Sequence, residues 1–171
     1  QLFVPEGDHA ISAALKITTA NAGLWGPGRI IQTNPQAAII EVTGAPGVQL
    51  RGLTLTRAEG KQECSVAALV MANSAGGVFA DVRVLDNWAN TGAVVVDNCP
   101  FSQIRDCLVR NYSRIAIDDR TQTSFHGYAF RCIDGTGIAV KNSTGVMIMN
   151  NRIIEERMVP TRELKERHQL G

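Results

Sequence analysis

Residues 137–153 read Gly137-Ile138-Ala139-Val140-Lys141-Asn142-Ser143-Thr144-Gly145-Val146-Met147-Ile148-Met149-Asn150-Asn151-Arg152-Ile153, and the fold is decided by how this stretch is read. Apolar residues alternate as Ile138-x-Val140 and Val146-x-Ile148, and Asn151-x-Ile153 closes the unit. Apolar positions two apart are a strand signal, and no 3.6-residue period develops. The template recurs at Ile40, Val42, Leu50, Leu53, Leu55, then at Leu69, Met71, Phe79, Val82, Val84. It recurs again at Val94, Val96, Ile104, Cys107, Val109, and at Ile115, Ile117, Phe125, Tyr128, Phe130. A looser copy opens the chain at Leu15-x-Ile17, Leu24-x-Gly26 and Ile31. Within a copy the offsets are always two, eight, three and two residues, while the step between copies runs 29, 25, 21 and 23. All length variation therefore falls between the last apolar position of one copy and the first of the next.

A unit of this size cannot bury its own apolar face, so it must stack on a neighbour. Three short strands, two fixed turns and one variable loop predict an all-β parallel β-helix of about six rungs over residues 1–155. Each strand then pairs with its equivalent about 4.8 Å away in the next rung. Two positions after the first strand, successive copies carry Gly44, Asn73, Asn98, Asp119 and Asn142, residue types that tolerate a left-handed backbone. Stacked amides there can hydrogen-bond along the column. The next column, Ala45, Ser74, Cys99, Arg120 and Ser143, is small and expected to point inward, with Arg120 breaking the rule. Residues 156–171 lose the strand period. Pro160-Thr161 ahead of Arg162-Glu163-Leu164 reads as a helix start, so this charged tail is expected to be a cap or an extension.

Composition narrows the function classes. With 17 Lys+Arg against 16 Asp+Glu in 171 residues, the net charge of +1 argues against an electrostatic nucleic-acid binder. No apolar run is long enough to span a bilayer, and no signal peptide is visible. Cys64, Cys99, Cys107 and Cys132 show no zinc-ligand spacing.

The opening Leu2-Phe3-Val4-Pro5-Glu6-Gly7, then Ile11-Ser12, Leu24-Trp25-Gly26-Pro27-Gly28 and Ile30-Ile31, resembles the start of pectate-lyase-like β-helix proteins. The unit from Gly137 through Asn142-Ser143 to Asn150-Asn151 is similar to their right-handed rungs. The resemblance implies a right-handed parallel β-helix that engages polysaccharide, in an extracellular or periplasmic setting. Lyases, hydrolases and epimerases share that superfamily with tailspikes and non-catalytic repeats, so fold is implied more firmly than chemistry. No catalytic signature of the family is matched: Asp118-Asp119 follows a strand instead of preceding one.

Candidate chemistry sits on and beside the first strand. Its outward row, Glu41, Val70, Val95, Ala116 and Ala139, is mostly apolar and predicts a cover. The cover would be a partner subunit, a missing domain or the loop from Arg57 to Val66, the alternative being that nothing covers the row. The adjoining column reads Thr43, Ala72, Asp97, Asp118, Lys141. Asp97 and Asp118 on adjacent rungs, with Asp119 beside them, suit a calcium site; with Lys141 as a base they suit acid/base catalysis. Ordinary turn chemistry and a solvated ion-pair row explain the same residues. In the variable loops Trp88 and Tyr112 fall on neighbouring rungs as sugar-stacking candidates, with Arg120 as a further substrate contact. Two functions follow from the sequence: a polysaccharide-engaging module, or a non-catalytic structural or assembly module.

Overall fold

The computed structural model describes residues 1–121, 129–157 and 159–160, with side chains described for residues 1–114 and 135–157. Three parallel sheets run the length of a β-solenoid. The first contains Leu2–Phe3, Gly23–Trp25, Gln49–Arg51, Val78–Ala80, Gln103–Arg105 and Met147–Met149, in that order. The second contains Asp8–Ile11, Arg29–Gln32, Thr54–Arg57, Arg83–Leu85, Leu108–Arg110 and Arg152–Ile154. The third contains Leu15–Ile17, Ile40–Thr43, Leu69–Ala72, Gly92–Asp97 and Thr136–Lys141. No helix occurs among the described residues, and none there is long and apolar enough to cross a membrane.

The register is the one the repeat predicts. Ile40 pairs with Leu69 and Leu69 with Val94; Leu50 pairs with Phe79 and Phe79 with Ile104; Leu55 pairs with Val84 and Val84 with Val109. All of these side chains are buried in one continuous core. Each Leu- or Ile-sized side chain removed from water contributes about 1.5–3 kcal/mol, so stacking supplies what a lone rung lacks. In the opening copy Leu15, Ile17 and Leu24 pair as expected with Ile40, Val42 and Leu50. Its third strand is shifted by one residue: Ile30, not Ile31, faces the core opposite Leu55.

One copy does not stack, so the third sheet has five strands where the repeat predicts about six rungs. Gly92–Asp97 pairs directly with Thr136–Lys141, Val94 opposite Ile138 and Val96 opposite Val140. Ile115–Thr121 instead forms an antiparallel hairpin with Ala129–Asp134 and pairs in parallel with Val159–Pro160. Both Ile115-x-Ile117 and Ile138-x-Val140 satisfy the two-residue alternation, so the strand pattern alone does not choose between them. The second brings Asn142 and Ser143 into the turn columns, where the first would bring Arg120 into an interior of small side chains. The tail beyond Val159–Pro160 lies outside the described residues.

The turns carry the left-handed positions expected, at Gly44 (φ 61°), Asn73 (52°), Asn98 (52°) and Asn142 (48°). Asn98 donates to Asn73 Oδ1 at 2.8 Å, the amide ladder anticipated from the column. The adjoining small residues form a second ladder. Ala45 N–H donates to Ser74 Oγ at 2.9 Å, Ser74 N–H to Cys99 Sγ at 3.3 Å, and Cys99 N–H to Ser143 Oγ at 2.8 Å. Each corner amide is thereby satisfied by a side chain one rung further on.

Candidate functional site

Asp97 does not meet Asp118 across a rung step. Its register partner is Lys141, and its carboxylate accepts from Asn142 Nδ2 at 2.8 Å. Asp118, Asp119 and Arg120 lie on the hairpin strand Ile115–Thr121, and their side chains are outside the described residues. The expected carboxylate pair thus depended on the copy that leaves the stack. Calcium takes six to eight oxygen ligands. The Asp97 carboxylate is held by the Asn142 amide, and no cluster of three or more His, Cys, Asp or Glu forms among the described residues. The expected calcium site rests also on Asp118 and Asp119, whose side chains lie outside the described residues.

Trp88 and Tyr112 do come onto neighbouring rungs. Ala89 N–H donates to the Tyr112 carbonyl at 3.2 Å, and Glu63–Cys64, Trp88–Ala89 and Ser113 make a short ladder within the variable loops. Their rings are used internally. The Arg157 guanidinium lies 4.0 Å over the Trp88 ring and donates to the Ser113 carbonyl, while Tyr112 packs against the core. That cation occupies one face of the indole.

The row Val70, Val95 and Ala139 floors an open groove of about 530 Å³. Its wall is built by Ser65–Ala67, Asn90–Gly92 and Gly135–Thr136, with Lys141 at one end. The loop from Arg57 to Val66 therefore borders the row without crossing it, and Ala116 is not part of it. That loop is anchored from below. Arg57 is buried and donates to Asn87 Oδ1 at 2.6 Å and to the carbonyls of Asn34 and Ala37 at 3.0 and 3.1 Å. Desolvation pulls its guanidinium below the ordinary arginine value. Burial pushes the Cys64, Cys99 and Cys107 thiols up.

A second groove, of about 570 Å³, lies where the first sheet turns into the second. Trp25, Arg51, Ala80 and Arg105 are register partners on successive rungs of the first sheet. The turn that follows places Gly26, Gly52, Asp81 and Asp106 beside them. Strand alternation explains the arrangement: Leu24, Leu50, Phe79 and Ile104 point inward, so their neighbours point out. The Trp25 indole is 47% exposed and rests on Phe3, with ring centroids 4.6 Å apart. Gly26 is required here, because a Cβ would sit 2.2 Å from the Val4 carbonyl oxygen. Arg105 pairs with Asp106 at 3.0 Å, and Arg51 donates to Gln49 Oε1 at 3.1 Å. Sequence reading missed this groove because it followed outward residues of the third sheet only. The signal was present as the column Trp25, Arg51, Ala80, Arg105, Met149, one residue after each second-strand core position.

No family model, curated protein or solved structure matches this chain.

Proposed function

We propose that this chain is a polysaccharide-engaging module built on a pectate-lyase-like β-helix. The groove of Trp25, Arg51, Asp81, Arg105 and Asp106 is the observation that carries the reading. Pyranose rings present an apolar face that suits an exposed indole and hydroxyl rims that suit guanidinium and carboxylate groups. Their backbones are held on strands and tight turns, so binding requires no ordering of the main chain. Calorimetric titration of a panel of neutral and acidic oligosaccharides tests the proposal. Trp25→Ala should weaken binding at least tenfold, about 1.4 kcal/mol. Trp88→Phe, which leaves the groove untouched, should not. Silence from the whole panel, or equal affinity of the parent and Trp25→Ala, would end this reading.

A second reading, an assembly module, is favoured by the open apolar floor of Val70, Val95 and Ala139. If a second copy covers that floor, Val95→Lys should lower the mass measured by light scattering. An unchanged mass excludes self-association through this face.

A further inference from the structure

Resting on the polysaccharide reading, we infer that the Trp25 groove selects a linear glycan in which acidic and neutral residues alternate. Rungs repeat about every 4.8 Å, and a pyranose advances a glycan chain by a similar length, so successive sugars meet successive rungs. The first position is Trp25, an aromatic surface with no charge of its own. The second is Arg51, exposed, whose side-chain hydrogen bond goes to a neutral amide and which pairs with no carboxylate among the described residues. A planar guanidinium there favours a carboxylate or sulfate on the sugar above it. The third position is Ala80 with Asp81, and the Asp81 carboxylate is exposed with no ion pair among the described residues. A second anionic sugar placed directly after the first would face this carboxylate, whereas hydroxyl groups would donate to it. At the fourth position Arg105 and Asp106 neutralise each other at 3.0 Å and impose no sign.

Asp81 is not demanded by the backbone. It occupies a left-handed turn position (φ 55°) that Asn150 fills two rungs later with φ 54°, so asparagine serves the turn equally. Its charge is therefore available for discrimination.

The test compares three oligosaccharides of equal length at low and physiological salt: neutral, alternating uronate–neutral, and all-uronate. Carboxylate and sulfate versions of the alternating probe separate the two anion sources. The parent protein should bind the alternating probe about tenfold tighter than either of the others, with the preference shrinking as salt rises. Arg51→Gln should remove the advantage over the neutral probe. Asp81→Asn should raise all-uronate binding about tenfold relative to the alternating probe. If the all-uronate probe already binds as tightly as the alternating one, or Asp81→Asn leaves their ratio fixed, the inference is wrong. Equal binding of neutral and alternating probes overturns the inference while the glycan reading survives. Binding of none overturns both.

Discussion

Phe101 holds a left-handed backbone (φ 60°) at a corner where the other rungs place Asn21, Gly47, Gly76 and Gly145, all with positive φ. A bulky residue in this region costs about 1–3 kcal/mol, and the Phe101 side chain, 70% exposed with its ring beside Gly145, recovers only part of that. Phe101→Gly should therefore stabilise the protein by about 1 kcal/mol after the entropy of the added glycine is offset. That corresponds to a midpoint rise of roughly 2–4 °C for a chain of this size. A thermal melt checks it, and a lowered midpoint would mean the ring makes a contact worth more than the strain. At the same scale the sequence was most legible where side-chain size decides orientation. Ala45, Ser74 and Cys99 are all fully buried, as their smallness implied. It was least legible where a charge finds its partner. Nothing local to Trp88 reveals that Arg157, distant in the chain, lies over its ring.

The corner after the third-sheet strand shows how one column does two tasks. Asn98 supplies a left-handed backbone and donates its amide to Asn73 one rung away. Two substitutions separate these roles. Asn98→Gly keeps the backbone preference and loses only an exposed hydrogen bond, a cost of about 0.5–1 kcal/mol. Asn98→Ala loses the bond and adds left-handed strain, so about 2 kcal/mol in total is expected from chemical denaturation. Equal costs for the two variants would show that the amide, not the backbone, matters at this corner. Columns of this kind made the sheets legible, since register repeats wherever the offset between strands is fixed. They did not make the groove legible, because a groove depends on which outward residues neighbour a turn. Trp25, Arg51 and Arg105 carry no periodic apolar signal, and only the register places them in one row.

At the scale of the molecule, the solenoid tolerates length change in one segment of each rung. The chain separation between stacked third-sheet strands is 29 residues from Ile40 to Leu69, 25 from Leu69 to Val94, and 44 from Val94 to Ile138. The longest contains the hairpin of Ile115–Thr121 with Ala129–Asp134. Ile115 and Asp134 are directly opposed in that hairpin, so the chain leaves the rung and returns at nearly the same point. Replacing residues 116–133 with Asn-Gly, a pair that closes a two-residue hairpin, should therefore leave the three sheets intact. Shortening the closed segment from 18 residues to two contributes about 2 kcal/mol by loop entropy, set against whatever packing the hairpin provides. The shortened protein should keep its strand signal in circular dichroism, unfold in one cooperative transition, and bind oligosaccharide like the parent. The opposite outcome has a definite meaning: if Ile115-x-Ile117 were a rung strand, the deletion would remove a layer between Val94 and Ile138. The stack would then lose its continuous core, and the protein would unfold in two steps or fail to fold.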